Sequence, residues 1–305
     1  MRLKSDLLLL FAAFVWGSGF VAQRMAATQI STFAFNGWRF LIAALVIYAT
    51  TRILNRRDAS KGITGGLSGT PRLDRKQILW MILAGTLLFS GAGLQQAGLA
   101  TTTIGNASFI TGLYVVLVPL ILALIWRQQV SLFSWLAVGL SVIGVMLLSL
   151  QGELKLAPGD ALELAGALMW AFQIILVGWL SSKGVNVLLF SIIQFATCGT
   201  LNLLLAVATD PQFFAALEGT WTMVLYSALF PIALGFSLQI AGQRYAPTVD
   251  ASIIMSTEAV FGTFFGYLFL GELLDFRQLI GCALILAAMI LAQLRPSRPL
   301  NLDAA

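Results

Sequence analysis

Residues 131–150 read SLFSWLAVGLSVIGVMLLSL, an unbroken apolar run without a single charge. About 20 such residues in a helix match the hydrocarbon thickness of a bilayer. The rest of the chain follows suit. Hydrophobic residues make up 59% of it, charged residues only 10%, and the mean hydropathy is +0.90. A soluble domain carries roughly 25% charged residues. Apolar runs predict helices at roughly 6–25, 33–51, 78–98, 103–125, 131–150, 160–181, 186–209, 220–242, 248–270 and 277–294. Barrel strands would alternate over about 10 residues instead of staying apolar throughout. The first run passes Trp16 without a small-residue cleavage site, so it reads as a spanning helix and not as a removable signal.

The cations set an orientation. With the N-terminus inside, the inner loops hold Arg2, Lys4, Arg52, Arg56, Arg57, Lys61, Arg72, Arg75, Lys76, Arg127, Lys183, Arg244, Arg295 and Arg298. The outer loops keep Arg24, Lys155 and Arg277, beside Glu153, Asp160, Asp210, Glu218 and Asp275. The positive-inside rule therefore predicts cytoplasmic termini in a cell inner membrane. A net charge of +5 spread over loops is not a nucleic-acid footprint, which needs cations clustered on one face. Residues 52–77, rich in glycine and charge, read as a cytoplasmic linker; they lack the GKS or GKT ending of a phosphate loop. Cys198 and Cys282 lie inside apolar runs and the chain has no histidine, so no disulfide framework, metal site or cofactor is expected.

The halves echo one another. Ala13-Phe14-Val15-Trp16 resembles Ala167-Leu168-Met169-Trp170, and Gln95 followed by Ala107-Ser108 matches Gln239 followed by Ala251-Ser252 at the same separation. Gly139 aligns with Gly281 after a slip of about two residues. Residues 1–150 and 151–305 thus read as two five-helix repeats. An odd number of spans forces tandem copies to cross in opposite directions, so the repeat is inverted. The expected architecture is all-α, with ten transmembrane helices arranged as two inverted repeats around a central cavity, the plan of alternating-access carriers.

Several stretches carry a resemblance across nearly the whole chain: Trp16-Gly17-Ser18-Gly19-Phe20-Val21, Arg39-Phe40, Gly93-Leu94-Gln95-Gln96-Ala97-Gly98-Leu99, Asn106 to Tyr114 with Pro119, Ser256-Thr257-Glu258, and Leu270-Gly271-Glu272. Together they are similar to the EamA-type branch of the drug/metabolite transporter superfamily. That resemblance implies ten helices, cytoplasmic termini, a central cavity and export of amino acids, other metabolites or toxic compounds. Tyr114 stands where the second repeat has Glu258, so the carboxylate is present in one half only.

Polar residues inside spans are the candidate site. An ionised Glu258 on a lipid face would cost roughly 2.5–3.5 kcal/mol even on insertion scales. It is expected to face the interior, as a partner for a substrate ammonium, a proton-coupling group or a structural hydrogen-bond acceptor. Arg39 is the one cation well inside a span, and three readings stay open: a substrate carboxylate site, snorkelling to the interface, or an ion pair. Gln95, Gln96, Asn106, Gln173, Gln194 and Gln239 need partners that lipid does not supply. They either bind helices together or line a cavity, the repeat-related Gln95 and Gln239 being the stronger cavity candidates. Trp16, Trp170 and Tyr114 suit a cavity wall or gate, against core packing as the plain alternative. Gly262 and Gly266 form a close-approach GxxxG, and Pro119, Pro231 and Pro247 are expected to bend or break helices. Three matches are rejected. Gly17, Gly19 and Ala22 satisfy GxGxxA without a preceding strand, Asn106-Ala107-Ser108 is a glycosylation pattern inside an apolar helix, and Glu272 has no metal-binding partners. Glu272 is expected to cap the last helix or pair with Arg277.

These features predict a secondary transporter, monomeric or homodimeric in lipid, moving a small organic solute outward with protons as a candidate coupling ion. An amino acid is the leading substrate class; drug efflux and a nucleobase or vitamin permease are alternatives. An intramembrane enzyme is disfavoured by the lack of histidine and acidic clusters. A channel is disfavoured by the lack of a charged ring.

Overall fold

The computed structural model describes residues 2–60, 74–101, 110–149, 158–271 and 275–294. Every regular element among them is a helix. The helices are α1 (Arg2–Ala26), α2 (Thr32–Ser60), α3 (Arg75–Gly98), α4 (Ile110–Ile125), α5 (Leu132–Ser149), α6 (Pro158–Ser182), α7 (Val187–Thr209), α8 (Leu217–Gly242), α9 (Thr248–Leu270) and α10 (Phe276–Leu294). Seven are apolar and long enough to span a membrane, and α4, α5 and α10 are shorter apolar helices. α1 starts before the apolar run does, and α2 runs on to Ser60, well past the expected end at 51. Charged side chains close a hydropathy run without closing a helix, since Lys and Arg are good helix formers. Asp74 caps α3 by accepting from the Lys76 amide. The rest of the 52–77 linker, residues 61–73, lies outside the described residues.

Packing relates each helix to the one five places later. α1 runs antiparallel to α8: a Cβ on Gly235 would lie 2.6 Å from Trp16, and one on Gly242 would lie 2.7 Å from Leu9. α1 runs parallel to α9, with Gly17 against Gly262 and Arg2 on Asp250. In the second half α6 runs antiparallel to α3, with Trp170 on Gly91 and Glu163 on Gly98. It runs parallel to α4, where Thr111 meets Glu163 and, further along, Leu122 shares a core with Ile175. α2 and α7 cross each other across the same axis: Gly37 lies under Leu203 and Gly199 lies under Leu41. Each helix gives its partner a glycine where the partner brings a leucine. That exchange is the contact a twofold relation imposes.

α5 and α10 also pair, but Gly144 makes the crossing on Gly281, while Gly139 faces open space. The prolines do less than expected. Pro247 starts α9 from an extended conformation, and Pro119 sits inside an unbroken stretch of α4. Pro231 alone distorts its helix, within the π-helical segment Ala228–Phe236 of α8. The breaks in α4 at Leu113 and in α9 at Ser256–Thr257 fall at repeat-related positions without proline. In α9 the hydroxyls of Ser252, Ser256 and Thr257 donate to Val249, Ile253 and Ile254 carbonyls three residues back. Such bonds compete with the helix ladder and bend it. α9 then ends on Gly271 at φ 69°, a left-handed cap suited to glycine. Asp275 and Gln278 cap α10 by exchanging side-chain bonds with each other's amides at 2.7 and 2.9 Å. Glu272, expected to cap this helix or pair with Arg277, lies outside the described residues.

Candidate functional site

The two halves meet around a central cavity. It is narrow: about 70 Å³ is open to the centre of a water-sized sphere. One water needs about 10–15 Å³ on that measure, so the space suits a small solute. Trp16, Arg39, Gln95, Tyr114, Trp170, Gln173, Gln239 and Glu258 all line it. Of the residues expected at the site only Asn106 is left aside, because it lies outside the described residues. Gln96 turns away to the Gln23 carbonyl (3.4 Å), and Gln194 is buried between α7 and α3 beside Gly85, away from the cavity lining.

At its centre Tyr114 donates to Glu258 Oε1 at 3.0 Å. These are repeat-related residues, each the first of the helical segment beyond its break. The carboxylate therefore occupies the first turn of a half-helix, where the backbone dipole favours negative charge. Arg39 is 4% exposed, which excludes snorkelling. Its guanidinium lies 4.6 Å from the Phe35 ring centroid and 5.4 Å from that of Phe40. Among the described residues no carboxylate comes within 4.0 Å of it, so it is not held in an ion pair. Glu258 likewise has no cationic partner there.

The aromatic wall has a hub that hydropathy could not distinguish from core: Phe236, at the end of the π-helical segment. Its centroid lies 4.9 Å from that of Trp16 and 6.0 Å from that of Trp170, nearly parallel to the latter at 21°. The two tryptophans differ in their N–H groups. Trp16 Nε1 donates to the Pro231 carbonyl at 2.9 Å, whereas Trp170 Nε1 is buried with no partner among the described residues. The repeat partner of Pro231 is Leu87, and an intact α3 keeps its carbonyls in the helix ladder. Both Trp→Phe changes lose ring packing, and Trp16→Phe should cost about 0.5–1.5 kcal/mol more than Trp170→Phe for the lost hydrogen bond. Melting temperatures in detergent will show the difference; equal losses would mean that ring packing alone matters.

Two polar links radiate from the cavity. Gln239 Nε2 donates to Gln173 Oε1 at 3.2 Å. Gln95 Nε2 donates to Thr111 Oγ1 at 3.2 Å, and Thr111 donates to Glu163 Oε2 at 2.9 Å. Glu163 was not legible as a site residue, since one turn after Asp160 it reads as another acid at a helix entrance. Packing of Gly98 and Thr111 over it makes it fully buried.

The profile of the EamA-like transporter family matches residues 3–150 and again 157–294. The chain belongs to the EamA-like transporter family. Among its relatives, an uncharacterized transporter of Archaeoglobus fulgidus is 31% identical over 297 residues, covering 96% of this chain and 87% of the relative. The transporter YetK of Bacillus subtilis is 24% identical, over 93% and 84% of the two chains. A WAT1-related chloroplastic protein of Arabidopsis thaliana is 23% identical over 91% and 66%. A solved crystal structure at 16% identity superposes with a TM-score of 0.77, covering 96% of this chain and 98% of the other, and so shares the fold. This EamA-like transporter is a multi-pass membrane protein, and its cavity holds an arginine and a glutamate on different helices, walled by aromatic rings.

Proposed function

We propose that the protein is a secondary exporter of a small zwitterionic solute, an amino acid or a close relative, working by alternating access across the inner membrane. One observation carries the reading. Arg39 and Glu258 line one cavity without an opposite charge on either, among the described residues. Leaving a charge buried and unpaired costs several kcal/mol. A zwitterion answers both, its carboxylate in the fork of Arg39 and its ammonium on Glu258, with the faces of Trp16 and Trp170 supporting the cation or an aromatic side chain.

The ends of the cavity favour alternation. Toward the end where α1 begins, Leu9, Val118, Leu122, Ile175, Val249 and Ile253 pack into a common apolar core. Toward the other end, the polar links from α1 to α3 are Gln96 to the Gln23 carbonyl and Arg24 to the Leu99 carbonyl at 3.3 Å. A few hydrogen bonds worth about 1 kcal/mol each open more easily than a packed core. The positive-inside rule places that easier exit outside.

The test is thermal-shift screening of the purified protein with L-amino acids, the amines left by their decarboxylation, their deamino acids, nucleobases and cationic drugs. Saturating zwitterion at about 100 times Kd should add about 2.7 kcal/mol of stability, and the amine or acid alone far less. Equal stabilisation by an amine, or stabilisation by nucleobases or drugs only, overturns the substrate class.

A further inference from the structure

Glu163 is the largest piece of chemistry that the substrate site does not use. It is 0% exposed, on α6, and Oε2 accepts from Thr111. Oε1 is buried without a hydrogen-bond partner among the described residues, and it rests on Gly98, where a Cβ would come within 2.7 Å of it. The groups facing it can be named element by element. α3 has no ionisable side chain between Gln77 and Gly98, and α4 brings only Tyr114. α6 itself brings Asp160 one turn earlier, and α1 brings Arg24, held on the Leu99 carbonyl. No cation lies within 4.0 Å of Glu163 among the described residues. A carboxyl so enclosed does not change charge unless its surroundings rearrange with it. Intramembrane carboxyls with a polar path to a cavity mark proton relays.

We propose that Glu163 is the proton-coupling site of the transporter, read by the substrate cavity through Thr111 and Gln95. When Glu163 is ionised, the chain runs as the structure shows it: Gln95 Nε2 donates to Thr111, and Thr111 donates to the carboxylate. When Glu163 carries a proton, its O–H donates to Thr111 Oγ1 and the Thr111 hydroxyl proton turns the other way. The freed Thr111 proton then points toward Gln95, which turns its amide to receive it on Oε1, a side-chain rotation that breaks no covalent bond. The amide atom that Thr111 does not hold is Oε1 in the first state and Nε2 in the second. An acceptor in the cavity that Glu258 also lines suits a substrate ammonium, and a donor opposes it. Substrate binding and proton binding therefore exclude each other, which is the linkage an antiporter needs. The proton leaves Glu163 through the Thr111 hydroxyl to water in the open cavity and returns the same way from the opposite face. Glu258 binds substrate and Glu163 binds the proton.

This inference rests on the transporter reading, and its two tests fail separately. In proteoliposomes supplied with a carbon-radiolabelled mixture of the common L-amino acids, a pH gradient should drive accumulation by the wild-type protein. Glu163→Gln, whose amide oxygen can still accept from Thr111, should reduce that accumulation to the level without a gradient while keeping counterflow exchange of the same mixture. Accumulation that survives Glu163→Gln overturns the proposal. So does loss of counterflow in a variant that remains monodisperse, because that marks Glu163 as structural. If the wild type does not take up the mixture, the substrate class fails, and infrared difference spectroscopy across a pH step decides the proton site without any substrate. A protonated-carboxyl band present in wild type but missing in Glu163→Gln supports the assignment; an unchanged band overturns it.

Discussion

Glu258→Gln is expected to abolish stabilisation by zwitterionic solutes and to lower their uptake about 100-fold or more at sub-saturating concentration. The substitution keeps the shape of the side chain and its bond from Tyr114 but removes the charge that would meet an ammonium in a water-poor cavity. Losing one partner of a buried charge pair costs about 2–5 kcal/mol, and each 1.4 kcal/mol is tenfold in affinity. The fold should tolerate the change, since Glu258 is held by no cation among the described residues. Arg39→Gln should give a matching loss for the carboxylate end. Tyr114→Phe, which removes one hydrogen bond at 3.0 Å, should lose about tenfold or less. Uptake and thermal shift measured together decide the matter. If Glu258→Gln binds amino acids as tightly as the parent does, Glu258 is a structural acceptor and the zwitterion reading fails.

The second large effect is on folding. A Cβ at Gly17 would lie 2.6 Å from the Gly262 amide nitrogen and 2.6 Å from Phe261 Cβ, so α1 and α9 touch backbone to backbone there. Backbone cannot step aside as a side-chain tip does. Gly17→Ala should cost about 1–3 kcal/mol, the usual range for overpacking, and Gly17→Leu should leave no monodisperse protein in detergent. Gly139→Ala is the internal control, because nothing lies within 4 Å of the added carbon. It should be neutral or slightly stabilising, as alanine loses less backbone freedom in a helix. Fluorescence-detected gel filtration and melting curves of the three variants test this. Tolerance of Gly17→Leu would show that α1 and α9 are not in the close contact described.

The sequence by itself determined the class, the helices and the cast of the cavity. Continuous apolar runs announce spanning helices because lipid satisfies no backbone group, so hydropathy is read directly from the chain. The spacing from Gln95 to Ser108 and from Gln239 to Ser252 exposed the repeat, and polar side chains in apolar runs had to point inward. Trp16, Arg39, Gln95, Tyr114, Trp170, Gln173, Gln239 and Glu258 do line one cavity. Only the tertiary structure decided how they meet. The rotation of each helix is set by distant close contacts such as Gly37 under Leu203 and Gly91 under Trp170, and no local pattern encodes rotation. Hence Arg39 among its neighbours was undecided between snorkelling, pairing and waiting for a ligand. No local pattern marks Phe236 as a cavity residue, and the α9 break came from hydroxyls and not from proline. No local pattern sets Glu163 apart, and its burial comes from α3 and α4 folding over it.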